Sequence, residues 1–285
     1  MKKIAFIALT CLFLFPVLSQ NREEVNPNEA VSSTPAQPGS IFAPEAILYE
    51  NGPLINSPGT GVGGADESVV QGSLSMTTLG FGHQVAFDNR VADDFLVPEP
   101  GWVIDTITFY AYQTGSSTTS TITAVNLQIW DAPPGTPTRA LVWGDTVTNV
   151  LASSMWTGIY RVSETTTGQS SDRPIMANTV TVATHLPPGT YWLDWQSDGS
   201  LSSGPWAPPI TINGVTTTGN GLQSLDAGVT FDPLVDGGTA AEQGLPFLIS
   251  GVEYNPVPTM GYFALAAFVV LLLGAGLILM RKNRA

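Results

Sequence analysis

From residue 44 to residue 254 the chain alternates short runs of aromatic and β-branched residues with clusters of Gly, Pro, Asn and Ser. Runs of this kind, bounded by turn residues, predict β-strands. The runs fall at 46–49, 91–97, 102–113, 121–130, 140–150, 155–162, 175–184, 190–196 and 246–252. Period-two alternation supports the assignment. Thr123, Val125, Leu127 and Ile129 share one face of their strand, with Asn126 and Gln128 on the other; Tyr191, Leu193 and Trp195 likewise point together. Helical periodicity is missing, apart from a turn or two expected at 65–71. The pattern predicts an all-β fold: a single β-sandwich, jelly-roll-like, formed by residues 44–254. About 210 residues are enough for one large core. No repeat of fixed period is visible, which argues against a propeller or solenoid.

The pattern changes at both ends. Lys2 and Lys3 precede an apolar stretch from Ile4 to Leu18, the layout of a secretory signal peptide over residues 1–20. An uncleaved anchor is the alternative, but the run is short for a span. Cys11, the only cysteine, lies inside this stretch. Thr10 before it fits a lipidation site poorly, so the exported chain is expected to carry no thiol and no disulfide. Its stability must then come from a core. Residues 21–43 are rich in Pro, Ser, Asn and Glu and predict a disordered spacer, because they bury too little surface to offset their ordering entropy. At the other end, Met260 to Met280 carries no charge and is followed by Arg281, Lys282 and Arg284. A 21-residue helix is about 30 Å long and spans a bilayer core. The cations behind it predict a cytoplasmic C-terminus and an external N-terminal bulk.

Val257-Pro258-Thr259-Met260, the apolar helix 260–280 and the basic end together resemble the IPTL-CTERM class of bacterial sorting signals, relatives of the PEP-CTERM tails handled by exosortases. The resemblance covers residues 257–285 only. The Ser-Glu-Trp continuation usual there is replaced by Gly261-Tyr262-Phe263, which leaves the identity of the processing enzyme open. The resemblance implies a Gram-negative surface or matrix protein, partnered by the export machinery and an exosortase-like enzyme. An ordinary single-pass anchor is the alternative.

Between Gln20 and Pro256 there are five arginines, no lysine and all 23 acidic residues, a formal charge of −18. Such a field repels nucleic-acid phosphates and anionic headgroups, and argues against nucleic-acid binding. It suits solubility outside the cell and contacts with divalent cations.

Candidate chemistry is sparse. Gly59-Thr60-Gly61-Val62-Gly63-Gly64 matches G-x-G-x-x-G, but a dinucleotide site needs that motif between a strand and a helix of a parallel α/β unit, so a glycine loop is the favoured reading. His83 and His185, the only histidines, lack zinc-ligand spacing. No G-x-S-x-G elbow marks a serine nucleophile. Asp93 and Asp94 are adjacent in a predicted strand and therefore face opposite sides. One of them is a candidate Ca²⁺ ligand, the only cofactor the sequence suggests; the alternative is a structural hydrogen bond or ion pair, to Arg90 for example. Trp192, Trp195 and Trp206 either pack the core or offer rings to a polysaccharide. The leading expectation is a non-catalytic envelope, surface-layer or extracellular-matrix protein, anchored at the inner membrane with its bulk in the periplasm, or sorted onward to the outer membrane, cell surface or medium. A carbohydrate-binding or adhesion module, calcium-assisted or not, comes second and a secreted hydrolase third.

Overall fold

A computed structural model describes residues 23–25 and 46–255. The signal peptide at 1–20, the sorting segment at 257–285 and its helix at 260–280 lie outside the described residues. Among the described residues, no helix is long and apolar enough to cross a membrane.

The described chain is all-β, with only single 3-10 turns between strands. In chain order the strands are β1 Glu23–Val25, β2 Ile47–Glu50, β3 Asp66–Val70, β4 Thr78–Gly82, β5 Arg90–Val97, β6 Trp102–Ala111, β7 Ile122–Trp130, β8 Leu141–Gly144, β9 Leu151–Ser163, β10 Pro174–Leu186, β11 Gly189–Gly199, β12 Trp206–Ala207, β13 Leu222–Ser224, β14 Asp232–Pro233 and β15 Phe247–Glu253. They form two six-stranded sheets, ordered β2-β15-β6-β10-β9-β3 and β14-β13-β5-β11-β7-β8, and a small third sheet, β1-β4-β12.

The two large sheets meet face to face. Ile107, Phe109, Val180, Phe247 and Ile249 from one sheet share a core with Phe95, Val125, Leu127, Ile129, Leu193 and Trp195 from the other. Phe109 and Trp195 stack across the interface at 4.4 Å between ring centroids. Phe95 carries the aromatic contact outward, with Trp102 at 6.2 Å and Tyr191 at 5.8 Å. Such pairs contribute about 0.5–1.5 kcal/mol each beyond the area they bury. In β7, Val125, Leu127 and Ile129 face inward as the alternation predicts.

β6 shows how a long strand keeps this register. Trp102 and Ile104 are buried, and so are Ile107 and Phe109, which is out of phase by one residue. The pairing with β15 shifts between Ser250 and Gly251, so that Asp105 is an extra residue in β6. A bulge of this kind resets the alternation and returns the second half of the strand to the core.

Several expectations need correction. The helical turns expected at 65–71 are instead strand β3, which runs parallel to β9; Val69 and Val70 are buried there. The run at 140–150 ends as a strand at Gly144. Gly144 adopts φ 83°, and Asp145 accepts hydrogen bonds from Val147 N and Thr148 N, closing a turn that no strand can continue. Within the expected spacer 21–43, residues 23–25 form β1, paired antiparallel with β4; there Glu23 and Glu24 find hydrogen-bond donors that composition does not reveal. β4, β12, β13 and β14 leave no strand pattern in the sequence, being short or glycine-bearing.

Trp195→Ala should cost about 3–5 kcal/mol, because a buried ring leaves a cavity between two sheets. Leu96→Ala, on a side chain 61% exposed, should stay within about 0.5 kcal/mol. Urea unfolding of residues 46–255 with each substitution checks the contrast; equal losses would contradict the packing described.

Candidate functional site

β5 presents its two aspartates in opposite directions. Asp93 lies opposite Leu193 of β11 and points inward with Val91 and Phe95. It is 2% exposed. Its Oδ2 accepts from Leu245 N at 2.6 Å and from Asn51 Nδ2 at 3.1 Å, and its Oδ1 accepts from Asp94 N at 2.9 Å. Burial pushes its carboxyl up to about 7, against the pull of those N–H groups. The neighbouring Tyr49 hydroxyl is raised as well, first by burial and then by Asp93. Asp94 sits on the outer face, where Asn220 Nδ2 donates to it at 3.0 Å. The chain therefore does not bring Asp93 and Asp94 to one site. Both Asp93 oxygens are taken by N–H donors, an arrangement that ties β2, β5 and the 245 loop together. Among the described residues no three His, Cys, Asp or Glu side chains are grouped to hold a metal ion.

The outer face of the same sheet carries a second constellation. Arg90 Nε donates to Asp194 Oδ1 at 2.7 Å, and Arg90 Nη2 donates to the Asp194 carbonyl at 3.0 Å. Trp130 Nε1 donates to the other carboxylate oxygen at 3.1 Å. Arg139 lies 5.0 Å from the centre of the Trp130 ring. Arg90 and Asp194 are almost wholly buried. Burial raises the Asp194 carboxyl, and Arg90 opposes it. The expected partner of Arg90 was Asp93 or Asp94; the partner found is Asp194, on the neighbouring strand.

Two further buried arginines were not singled out from the sequence. Arg161 on β9 donates to the carbonyls of Thr78 and Leu79 and to Ser68 Oγ and Thr211 Oγ1. A cavity beside it, lined by Met76 and Ile210 among others, has a volume of about 10 Å³, room for one water. Arg173 Nε lies 3.1 Å from Glu24 of β1. The signal was present: a chain with five arginines and no lysine between residues 20 and 256, three of them beside or inside apolar runs, places those three indoors.

The histidines stay apart in role. His83 follows β4, is fully buried, and burial lowers it to about 4. His185 belongs to β10 and packs on Tyr254 at 4.1 Å. Among the described residues neither is hydrogen-bonded to a serine or a carboxylate. The glycine motif leads through a 3-10 turn, Val62–Gly64, into strand β3, where a dinucleotide site would need a helix. Trp192, Trp195 and Trp206 are all buried, at 7%, 1% and 3% exposure. The sorting motif residues Val257, Pro258, Thr259 and Met260 and the cations Arg281, Lys282 and Arg284 lie outside the described residues. No protein-family model matches this chain, and no curated protein and no solved structure is found similar to it.

Asp93 makes stability depend on pH with a defined sign. Its folded value, about 7, stands above the ordinary 3.8. Between these two values the folded chain keeps a proton that the unfolded chain has released, so this group's contribution is greatest at low pH and declines as pH rises towards 7. Its full span is on the order of a few kcal/mol. Asp93→Asn removes the titration. The stability of wild type relative to Asp93→Asn should fall from about pH 4 to about pH 7 and level off above it; thermal melts across that range check this, and a constant difference would contradict it. Separately, Asp194→Ala should cost about 3–5 kcal/mol by leaving Arg90 buried without its carboxylate, and Asp194→Leu with Arg90→Met should cost much less. Urea denaturation of both variants gives the comparison.

Proposed function

We propose that this protein is a non-catalytic component of the bacterial envelope, surface layer or extracellular matrix, exported through its N-terminal segment and held by its C-terminal one. The observation that carries the reading is the order of the C-terminal residues: Val257-Pro258-Thr259-Met260, an uncharged run to Met280, then Arg281, Lys282 and Arg284. This order directly follows a β domain that has no cysteine. A domain stabilised by an apolar core and stacked rings needs no disulfide catalyst to fold after export.

The finer fold reading is a jelly-roll-like sandwich. What supports it is the insertion of later strands between earlier ones: β11 lies between β5 and β7 in one sheet, and β10 between β6 and β9 in the other. The proposed partners are the export machinery, an exosortase-like enzyme acting at the 257–260 motif, and the inner membrane through 260–280.

Intact-mass measurement of the protein from envelope and medium fractions tests the reading. The expected result is loss of the N-terminal segment near residue 20 and an envelope-bound bulk accessible to external protease in spheroplasts. Removal of residues 257–285 should move the chain to the soluble exported fraction. A full-length mass in the cytoplasm, or membrane retention without residues 257–285, would overturn the proposal.

A further inference from the structure

β4 is a buried strand in a three-stranded sheet, with β12 on one edge and β1 on the other. Only three residues form β1, and the register shifts between Glu24 and Val25. What holds it is mainly the chemistry of two carboxylates. Glu23 Oε2 accepts from Thr78 Oγ1 at 2.6 Å. Glu24 accepts from Tyr112 Oη at 2.8 Å, Thr114 Oγ1 at 2.5 Å and Arg173 Nε at 3.1 Å. Gly80, opposite Glu24, leaves the room this needs: a Cβ there would meet Tyr112 Oη at 2.6 Å and Trp206 Cβ at 2.9 Å. The groove is therefore shaped and charged for an extended acidic segment, and it closes an edge that would otherwise template strand pairing.

Twenty residues of chain separate the occupant from the domain. Residues 26–45 join β1 to the domain, and twenty residues reach as far as about 70 Å when extended. A domain of this size has a radius of gyration of about 17 Å. That contour length exceeds the domain's own diameter and so suffices for the groove of a neighbour. A strand from a second copy makes the same hydrogen bonds as the chain's own, so exchange costs little and is decided by local concentration. A short ladder also opens more readily than the core strands.

We propose that β1 is an exchangeable strand: Glu23–Val25 of one copy fills the β4 groove of a second copy, linking copies head to tail. Each copy has one strand to give and one groove to fill. With the strand given to one neighbour and the groove filled by another, the contact is heterologous and propagates into chains, the form a surface layer or matrix requires. In this it rests on the envelope reading above.

Cysteine pairing in the full chain tests it. Cys11, the only native cysteine, is replaced by Ser throughout. A Cβ at Gly237 points at the Glu23 carboxylate, so Glu23→Cys and Gly237→Cys report docking. One tagged chain carries Glu23→Cys. A second, differently tagged and co-produced, carries Gly237→Cys with Glu23→Ala, which removes the carboxylate the new Cβ would meet. Diamide on intact cells oxidises thiols in every compartment, so the linkage is read independently of where the chain resides; fractionation of the same cells tests location. The expected result is a disulfide-linked heterodimer on non-reducing gels, confirmed by mass. Adding Glu24→Gln to the strand donor should cut it about tenfold, the loss expected when charge-assisted hydrogen bonds go. A single chain with Glu23→Cys and Gly237→Cys is the reference. If it closes on itself while the co-produced chains stay unlinked, β1 is an internal latch and the proposal fails. If no disulfide forms in either arrangement, β1 does not dock and the proposal fails. A heterodimer indifferent to Glu24→Gln also overturns it.

Discussion

Phe109 and Trp195 stack across the two six-stranded sheets with both rings buried, and much of the molecule is arranged to keep that contact dry. Neither sheet can stand alone, because each has an apolar face that water would not tolerate. No disulfide bridges them among the described residues, so the sheets are joined by packing and by hydrogen bonds such as those that Asp93 accepts from Asn51 and Leu245 N. The bulge at Asp105 exists in this light: it keeps Trp102 and Ile104 in the same core as Ile107 and Phe109. Phe247 and Tyr49 extend the aromatic cluster to the edge strand β2, with ring centroids 5.8 Å apart.

Around this core the chain keeps three of its arginines inside. Arg90, Arg161 and Arg173 are each within 2% of full burial. Each meets carboxylates, carbonyls or hydroxyls on other strands, and each therefore joins elements that apolar packing would leave free to slide. Buried ion pairs add little net stability over apolar substitutes, but they penalise wrong registers, because a misplaced strand strands a charge. In so acidic a chain this places three of the positive charges in the interior and leaves the surface predominantly negative. Asp93 plays a related part without a cation. Its carboxyl, raised by burial, gathers Asn51, Leu245 N and its own neighbour's N–H at the junction of β2, β5 and the 245 loop.

Most of the large strands were legible from residue pattern, because period-two alternation and Gly-Pro punctuation are local signals. Val125, Leu127 and Ile129, and Tyr191, Leu193 and Trp195, could be assigned to shared faces with no knowledge of their partners. β3 is not legible because residues 65–71 are mostly polar with no clear alternation, and its parallel mate β9 lies far along the chain. β1 was invisible because its residues are acidic and lie in a polar stretch; only the donors on β4 and around Arg173 make it a strand.

The sequence by itself determined the fold class, the positions of the main strands, the inward faces of β7 and β11, and the charge asymmetry between the ends and the middle. These depend on neighbours a few residues apart. The tertiary structure alone decided which carboxylate meets which arginine. Asp194 lies 104 residues from Arg90 and Glu24 lies 149 residues from Arg173. It also decided that Asp93 points into the core while Asp94 points out, and that β11 is covered on both faces. Such pairings are set by how sheets stack and strands insert. No local pattern encodes them, because the same residues would be equally at home with any complementary partner that the fold brought within reach.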